Sequence, residues 1–357
     1  MKQTIAVLFG GRSSEHEISV LSAANVLAHI DREKYEIIRI GITKDGAWKY
    51  VKDDESVKNG SWVNSEDAVW LLPDAHERAL LVRRHGEYSR IPLDCAFPVL
   101  HGLYGEDGTV QGLFEMADIP YVGCGVLASA VGMDKFYTKQ VVQYIGGIRQ
   151  AAWVPVTAAD LEEDEAAVIA RVEKALPYPV FVKPSRAGSS CGVSRADDRE
   201  ELKAALELAA RHDRKILVEE QIRGRELECA VFSDGHTLRV SGVGEILSAA
   251  EFYDYDAKYN NPDSQTNVHP ALPEGAEEQI REAAAKIFTG IDGFGLSRVD
   301  FFLDEKGVVF NEINTLPGFT AISMYPMLFE AAGTSKDELV QALIDAAFAR
   351  EAGYYKL

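Results

Sequence analysis

The N-terminal segment places the strongest constraint on the fold. An apolar run at residues 4–9 ends at Gly10-Gly11 and is followed by a helical apolar pattern at 17–30 and a second apolar run at Tyr35–Ile42. Strand, glycine turn, helix and strand in this order are typical of a βαβ unit, whose two strands lie parallel in one sheet. The sequence therefore predicts an α/β chain whose first domain contains a parallel sheet.

The rest of the chain alternates between strand and helix patterns. We expect a buried strand at 94–100 and a boundary at the double-glycine motif 120–125, and we predict no firm structure for the polar stretch 53–88. Further elements are expected at 135–144, 161–176, 178–183, 198–212, Lys215–Glu220, 273–290 and 336–350. A chain of 357 residues suits two or three domains. We place three domains, at 1–123, 124–219 and 220–357.

The charge of the chain restricts its partners. Lys and Arg total 37 against 56 Asp and Glu, a formal net charge of −19. Binding to nucleic acid or to an anionic membrane requires positive charge that neutralises phosphates, so this balance argues against both. A small anionic ligand remains compatible because it needs only a local cationic pocket. No stretch approaches the roughly 18 uninterrupted apolar residues that a membrane-spanning helix needs.

The cysteines and the N-terminus indicate a cytoplasmic protein. The four cysteines are widely spaced and form no C-x-x-C pair: Cys95, Cys124, Cys191 and Cys229. Neither a zinc site nor a disulfide framework is therefore predicted. The N-terminal apolar run ends in glycines and lacks the cleavage pattern of a signal peptide, so we expect a reducing, cytoplasmic environment.

One loop is suited to binding phosphate. Lys183 ends an apolar strand and precedes a run of small residues, 184–193, which offers backbone N–H groups and hydroxyls. Such a loop can fold over phosphates while the lysine holds them by charge; a flexible connection beside an exposed lysine is the alternative. A P-loop is excluded because G-x-x-x-x-G-K-[ST] is absent, and Gly10-Gly11 falls short of G-x-G-x-x-G, which favours a tight turn there.

The strongest pattern is a hairpin that carries polar side chains on one face. Two apolar strands flank a polar turn that we place at 305–307, with Gly307 in the left-handed conformation and Leu303 paired near Val309. Alternate residues of a strand point the same way, so four polar side chains share a face. These are Asp300 opposite Glu312, and Arg298 opposite Asn314.

This polar face predicts a magnesium site. Two carboxylates among apolar residues need compensation, and Arg298 can neutralise only one of them. The oxygens of Asp300, Glu312 and Asn314, together with phosphate oxygens, form the ligand set that Mg²⁺ prefers. The alternative is a solvated outer face of the hairpin. We favour the metal site because the second strand leads directly into the rigid turn 315–318.

Three further segments carry weaker signals. Glu15 stands at the start of the first helix, where it either meets an ammonium group or only interacts with the helix dipole. His101 begins a glycine-rich loop after a buried strand, where loops of α/β sheets usually meet ligands. The polar and aromatic run 252–259 is either a lid that closes Lys258 and Tyr259 over a charged substrate or a surface excursion.

Taken together, the motifs resemble the D-alanine–D-alanine ligases of the ATP-grasp superfamily over essentially the whole chain. The matching motifs are Gly10-Gly11-x-Ser13-x-Glu15-x-Glu17, His101-Gly102 with 105–108, 133–135, 183–186, 252–255 with Lys258-Tyr259, 298–300 and 312–315. Seven motifs in this order are not expected by chance. The resemblance implies an α/β chain, α+β in its C-terminal part, with an ATP-grasp fold and an N-terminal Rossmann-like domain.

The resemblance also implies an activity. A ligase of this family joins two D-alanines through a D-alanyl phosphate, using ATP and two Mg²⁺ or Mn²⁺ ions, and supplies a peptidoglycan precursor. A homodimer through the first domain is implied as well. A neighbouring possibility is another ATP-grasp carboxylate–amine ligase, including one that joins D-alanine to D-serine or D-lactate.

Residue roles follow from the resemblance motif by motif. The implied ATP-binding residues are Lys135, Lys183, Ser190, Glu219, Gln221, Ile222, Glu226, Phe252 and Lys258. The implied catalytic and substrate-binding residues are Glu15, His101, Ser189, Lys258, Tyr259, Arg298, Gly318, Ser323 and Met324. The implied metal ligands are Asp300, Glu312 and Asn314. Within this set Glu15, oriented through Ser189, holds the first ammonium group, and Arg298 with the Gly318 N–H stabilises the oxyanion.

Three positions bear on substrate choice and on the alternatives. His16 stands where many relatives have arginine, and we expect a small effect. Tyr259 is lost in D-lactate-using relatives, and some D-serine-using relatives have arginine in place of Met324, so both residues favour D-alanine as the second substrate. A non-catalytic nucleotide-binding protein would be expected to have lost Glu312, Asn314 or Arg298, and none is lost. An NAD-dependent Rossmann enzyme would need the missing glycine fingerprint.

Overall fold

The computed structural model describes residues 2–247 and 265–350. Its strands are β1 (Gln3–Gly10), β2 (Tyr35–Ile42), β3 (Trp48–Val51), β4 (Ala68–Leu71), β5 (Ala79–Arg84), β6 (Glu87–Pro92), β7 (Cys95–Val99), β8 (Trp153–Thr157), β9 (Val180–Pro184), β10 (Ser194–Ala196), β11 (Lys215–Glu220), β12 (Arg225–Ser233), β13 (Leu238–Leu247), β14 (Gln265–Asn267), β15 (Gly295–Asp304) and β16 (Gly307–Asn314). Its α-helices are α1 (His16–His29), α2 (Asp54–Lys58), α3 (Thr109–Met116), α4 (Val126–Met133), α5 (Lys135–Ile145), α6 (Ala158–Ala175), α7 (Arg199–Ala210), α8 (Ala276–Gly290), α9 (Met324–Ala331) and α10 (Lys336–Ala349).

The first sheet is built around β1. Its strand order is β6-β5-β4-β3-β2-β1-β7, and β1 lies parallel to both β2 and β7. Ile5 and Phe9 pack into one apolar cluster, and Ala6 and Leu8 pack into a second cluster on the opposite face. A central strand of a parallel sheet is covered on both faces, which explains the unbroken apolar run of the N-terminus.

The stretch at 53–88, for which the sequence predicted no firm structure, is ordered. It contains α2, β4, β5 and the start of β6, and these strands extend the first sheet in antiparallel fashion. Val69 and Val82 are buried, whereas nearly all of β6 is exposed. Short edge strands with one solvated face carry too few apolar residues to be recognised from periodicity.

The second sheet supplies one wall of the later cleft. Its order is β10-β9-β11-β8, all neighbours are antiparallel, and α6 and α7 pack on it. Lys183 on β9 lies opposite Leu217 on β11, two residues before Glu219. Because residues two apart on a strand share a face, Lys183 and Glu219 point to the same side of the sheet.

The third sheet supplies the opposite wall. Its order is β14-β13-β12-β15-β16. On β15, Val299 and Phe301 pack into an apolar cluster with residues of α5 and α8. Strand alternation then directs Arg298 and Asp300 to the other face of the sheet. An apolar core on one face thus fixes the direction of the charged pair on the other.

The β15–β16 hairpin confirms the predicted pairing but corrects the turn. Asp300 lies opposite Glu312, and Arg298 lies opposite Asn314. The turn has two residues rather than three, because Asp304 pairs with Gly307 and Leu303 with Val308. A bulge after Asp300, at Asn311, adds the residue that the shorter turn lacks. The two departures cancel, so the polar face forms in the expected register.

We predict that Gly10→Ala lowers the free energy of unfolding by about 3 kcal/mol or more. Gly10 has a φ of +86°, and a Cβ there would overlap the Ile42 carbonyl oxygen of the neighbouring strand. Gly86→Ala is the matched control, since Gly86 also has a φ of +86° but nothing within 4 Å of an added Cβ. Urea titration should show a loss of about 1 kcal/mol for the control, and equal losses for the two variants would contradict the account.

Candidate active site

A cleft forms where the first domain meets the second and third sheets. Its walls come from the start of α1, the loop after β7, the loop after β9, the β15–β16 hairpin and the segment after β16. The chain folds so that most of the predicted site residues line this cleft: Glu15, His101, Lys135, Lys183, Ser189, Ser190, Glu226, Arg298, Asp300, Glu312, Asn314 and Gly318. These residues belong to all three predicted domains.

Arg298 and Asp300 form the best-defined contact of the polar face. Arg298 Nε lies 2.7 Å from Asp300 Oδ1, and its Nη2 lies 2.7 Å from Asp300 Oδ2. Asn314 Nδ2 donates to Asp300 Oδ2 at 3.0 Å. The guanidinium therefore neutralises Asp300, as charge compensation of a buried carboxylate requires.

Glu228 also belongs to this face, although the sequence did not point to it. It lies on β12 directly opposite Asp300, and its Oε2 is 3.1 Å from Arg298 Nε. The residue is 7% exposed. Finding it requires the pairing of β12 with β15, two strands far apart in the chain, which no local pattern reveals.

The oxygens on this face fit a hard divalent cation. Asp300, Glu312 and Asn314 offer two carboxylates and an amide, and Mg²⁺ usually takes one or two carboxylates together with substrate phosphates and water. Within 2–247 and 265–350, no group of three or more His, Cys, Asp or Glu residues is arranged to hold a metal ion by itself. Asp300, Glu312 and Asn314 would supply only some of the ligands of such a cation, and substrate phosphates or water would have to supply the others.

Lysines face the carboxylates across the cleft. Lys135 Nζ lies 3.2 Å from Glu312 Oε2 and donates to the Ala187 carbonyl at 3.2 Å. Burial by itself lowers the pKa of Lys135, but the carboxylates of Glu312, Glu219 and Glu15 together outweigh burial and raise it above the ordinary value. Lys135 is therefore a charged group placed between the loop after β9 and the hairpin.

A second carboxylate, Glu219, holds two lysines. Its Oε2 is 2.7 Å from Lys183 Nζ, and its Oε1 is 3.1 Å from Lys139 Nζ. Burial by itself raises the pKa of Glu219, but the two ammonium groups outweigh burial and lower it to about 2. Burial, aided by Lys183, lowers the pKa of Lys139, because one carboxylate does not fully compensate two ammonium groups.

Lys139 is a residue that the sequence analysis missed. Its side chain is 3% exposed, and it stands one helical turn after Lys135 on α5. The spacing of four residues places both lysines on one helix face, which is the signal that could have found it. Glu219, expected only at the adenine pocket, is the counter-ion that fixes Lys183.

The loop after β9 is anchored at its base and strained at its tip. Ser185 Oγ donates to Asp134 Oδ1 at 2.6 Å, and its carbonyl accepts from the Lys135 N–H at 2.9 Å. Ser189 and Ser190 have φ values of 48° and 55°, unusual for residues other than glycine. Ser189 Oγ is buried without a hydrogen-bond partner among the described residues. A buried hydroxyl left unpaired at a cleft is suited to a bound ligand.

Glu15 projects between two loops. It is the N-cap residue of α1, and its side chain makes no capping hydrogen bond. Its Oε2 lies 2.6 Å from the point where a Cβ would stand on Gly102 and equally on Gly188. Any larger residue at either glycine would displace the carboxylate. The geometry favours a ligand-facing carboxylate over a simple partner of the helix dipole.

His101 and Glu106 hold the segment that follows β16. His101 Nδ1 is 2.8 Å from the Leu316 carbonyl and Nε2 is 3.1 Å from Ser22 Oγ, while Glu106 Oε1 accepts from the Leu316 N–H at 2.8 Å. Burial lowers the pKa of His101, so its ring is neutral and donates once. His101 lines the cleft, but both ring nitrogens already bond within the protein.

Met324 does not lie at the cleft, contrary to expectation. It is 3% exposed and packs in the apolar core at the start of α9, with its sulfur against Gly244. Its neighbour Ser323 stays near the site, since Ser323 Oγ is 3.0 Å from the position of a Gly318 Cβ and accepts from the Thr320 N–H at 2.9 Å. The resemblance to the family gave the position of Met324 in the sequence, but the direction of its side chain depends on core packing.

The remaining predicted residues are placed as follows. Gln221 and Ile222 directly follow β11 and are half-buried. His16 is buried against Trp62 and bonds through Nδ1 to the Gly11 carbonyl at 2.8 Å. Phe252, Lys258 and Tyr259 lie outside the described residues.

The fold and the site together define a class. A four-stranded sheet with Lys183 faces a five-stranded sheet with carboxylates across a cleft, Lys135 on α5 lies beside them, and a domain with a mixed sheet closes one end. This is the architecture of an ATP-grasp ligase, and the α/β fold predicted from the sequence is confirmed.

Comparisons with known proteins identify the family. The family models described as D-ala D-ala ligase N-terminus and D-ala D-ala ligase C-terminus match residues 4–124 and 142–345. A D-alanine–D-alanine ligase of Acetivibrio thermocellus is 48% identical, over 98% of this chain and 96% of that protein. The chain belongs to the D-alanine–D-alanine ligase family, which confirms the resemblance; the domain boundaries at 123 and 219 stay predictions.

Solved structures agree with this assignment. The D-Ala:D-Ser ligase VanG of Enterococcus faecalis matches with a TM-score of 0.88 and 39% identity, over 97% of this chain and 100% of that chain. The D-alanine–D-alanine ligase of Coxiella burnetii matches with a TM-score of 0.83 and 34% identity, over 98% and 94% of the two chains.

We predict that Glu219→Gln destabilises the protein by about 3–5 kcal/mol at neutral pH, because two buried ammonium groups lose their counter-ion. The folded-state pKa of about 2 lies below the ordinary value of 4.5 for a glutamate. The stabilisation by Glu219 is therefore present above pH 4.5 and is lost as the pH falls toward 2. Thermal unfolding between pH 3 and pH 7 measures the difference.

Glu173→Gln is the control for this prediction, since Glu173 pairs with Arg199 on the surface and should matter little. A Glu219 variant whose stability matches that of the wild type at pH 7 would contradict the assignment.

Proposed function

We propose that the protein joins two D-alanine molecules to D-alanyl-D-alanine while ATP is cleaved to ADP and phosphate. One observation carries this proposal: Glu15 and the unpaired Ser189 hydroxyl face the same cleft as Lys135 and Glu312. A carboxylate and a hydroxyl suit a small zwitterion, while lysines and a carboxylate suit a nucleotide with its cation.

In this proposal the nucleotide binds in the part of the cleft that contains the lysines. Lys135 and Lys183 neutralise the phosphates, and the loop with Ser189 and Ser190 covers them with backbone N–H groups. Glu226 lies in the same part of the cleft and is the proposed ribose ligand. Gln221 and Ile222, after β11, and Phe252 are the proposed adenine contacts.

In this proposal the metal ions bind at the polar face of the β15–β16 hairpin. Asp300, Glu312 and Asn314 are the proposed ligands of two Mg²⁺ or Mn²⁺ ions, with Glu312 shared between them. Bound there, the ions neutralise charge that develops on the transferring phosphoryl group. Lys135 already contacts Glu312, so a phosphate that binds Lys135 and a cation that binds Glu312 would be neighbours.

The reaction then runs in two steps. The carboxylate of the first D-alanine, held by Glu15 through its ammonium group, attacks the γ-phosphorus of ATP and forms D-alanyl phosphate. The neutral amine of the second D-alanine attacks the acyl carbon, phosphate leaves, and the nitrogen loses one proton to the departing phosphate or to solvent. Arg298 and the Gly318 N–H stabilise the tetrahedral oxyanion, a contribution of typically about 3 kcal/mol per donor.

The second D-alanine lies near Ser323, whose hydroxyl is a proposed partner of its carboxylate. His101 fixes the Leu316 backbone before Gly318, so we propose that it positions the oxyanion donor. Lys258 and Tyr259 are proposed to close over the substrates and exclude water, which would otherwise hydrolyse the acyl phosphate.

The setting of the reaction follows from the family. We propose a cytoplasmic role in supplying a peptidoglycan precursor, and the homodimer through the first domain stays a prediction. Across residues 2–247 and 265–350, no helix has both the length and the apolar character of a membrane span.

D-serine is the second candidate for the second substrate. A D-Ala:D-Ser ligase shares this fold with a TM-score of 0.88. Met324, which was expected to favour D-alanine, is buried away from the cleft. Discrimination therefore depends on Tyr259 and on residues around Ser323.

The test measures phosphate release from Mg-ATP with D-alanine alone and with D-alanine plus D-serine or D-lactate, and identifies products by mass. We predict D-alanyl-D-alanine as the main product. Glu312→Gln should lower the rate on the order of 10²-fold or more, because the proposed shared metal ligand loses its charge.

Asp304→Asn is the matched control, because Asp304 lies on the same hairpin and pairs with Arg149 outside the cleft. It should leave the rate nearly unchanged. Mainly D-alanyl-D-serine would favour the second candidate, and no turnover with any D-amino acid would overturn the proposed substrates.

A further inference from the structure

Three carboxylates lie in one row across the third sheet. Glu228 on β12 pairs with Asp300 on β15, which pairs with Glu312 on β16. Directly opposed residues of neighbouring strands point to the same face of a sheet. All three side chains therefore lie side by side on the face that lines the cleft. Glu228 and Asp300 are each 7% exposed. Buried carboxylates on neighbouring strands repel one another, so cations must neutralise them.

Arg298 is the cation shared by two of these carboxylates. Its guanidinium spans both oxygens of Asp300 at 2.7 Å, and its Nε also lies 3.1 Å from Glu228 Oε2. Asp300 additionally accepts from the Asn314 amide at 3.0 Å. Asp300 Oδ1 therefore accepts one hydrogen bond within the protein and Oδ2 accepts two.

In this arrangement Arg298 and a bound metal ion would compete for the negative charge of Asp300. A divalent cation can bind the lone pair that Asp300 Oδ1 retains, but its charge would then weaken the ion pair between Asp300 and Arg298. The Arg298 side chain is only 14% exposed, and a buried guanidinium without a counter-ion is strongly unfavourable. Metal binding at Asp300 therefore requires another anion for Arg298.

We propose that Glu228 is this anion: it is a positioning residue that holds Arg298 while Asp300 binds the metal ion. This inference rests on the proposed function, in which Asp300 is a metal ligand and Arg298 an oxyanion donor. Glu228 Oε2 is already at ion-pair distance from Nε, so the exchange requires only a small rotation of the guanidinium. Arg298 keeps its place at the cleft throughout.

The exchange has two consequences. It strengthens metal binding, because Asp300 is released without leaving Arg298 unpaired. It also fixes the guanidinium for the oxyanion step, since a donor that is already oriented needs no rearrangement during the reaction. Glu228 thus acts through Arg298, without touching substrate or metal.

The test is Mn²⁺ binding in the presence of a non-hydrolysable ATP analogue, measured from the electron paramagnetic resonance signal of free Mn²⁺. Glu228→Asp keeps the charge but withdraws the carboxylate by about one C–C bond, ~1.5 Å. We expect about five-fold weaker Mn²⁺ binding in the wild-type background and less than a two-fold change in an Arg298→Gln background. The difference between backgrounds isolates the contact with Arg298.

Glu245→Asp is the matched control. Glu245 is also 7% exposed in this sheet and pairs with Arg225 at 2.6 Å, away from the cleft. It should leave Mn²⁺ binding unchanged. Thermal unfolding without metal checks that each variant folds, and Glu228→Gln, which keeps the side-chain length, serves the same comparison if Glu228→Asp does not fold.

The outcomes separate the inference from the proposed function. Equal weakening in both backgrounds would make Glu228 a direct metal ligand and overturn the positioning role. Unchanged binding in the wild-type background would overturn it as well. Failure of the wild-type protein itself to bind Mn²⁺ with the nucleotide analogue would instead overturn the proposed metal site.

Discussion

The site depends on the compensation of buried charge across one cleft. Lys135 contacts Glu312, and Glu219 lies between Lys139 and Lys183, so each wall carries charges that the opposite wall or an adjacent strand neutralises. In the proposed reaction the nucleotide phosphates bind Lys135, and the metal cation binds Glu312. The ligands therefore replace an existing ion pair, and the protein stays close to electrically balanced before and after binding.

The surrounding fold keeps these groups in place through contacts between distant parts of the chain. Glu106 of the first domain accepts the Leu316 N–H, and Ser22 of α1 accepts the Phe319 N–H at 3.0 Å. The first domain thereby fixes the backbone that holds the proposed oxyanion donor Gly318. Because small misplacements of catalytic groups cost large factors in rate, these contacts between domains matter for the geometry of the proposed site.

Local patterns in the sequence were sufficient to predict much of the fold and part of the candidate site. The β1–α1–β2 unit and the pairing of Asp300 with Glu312 follow from period and proximity, and the seven motifs led to the correct family. Glu228 was missed because its position depends on long-range strand pairing, and Lys139 because helical spacing does not show what a side chain contacts. Met324 was expected at the substrate pocket, and its burial in the core depends on packing that a motif does not encode.

The central claim is that the carboxylate of the first D-alanine is activated by phosphorylation. The most direct measurement uses D-alanine labelled with ¹⁸O in its carboxylate and determines the mass of the phosphate released with ATP. Attack of that carboxylate on the γ-phosphorus leaves one labelled oxygen in the phosphate when the amine displaces it. The account predicts phosphate that carries ¹⁸O from D-alanine; unlabelled phosphate formed together with D-alanyl-D-alanine would contradict it.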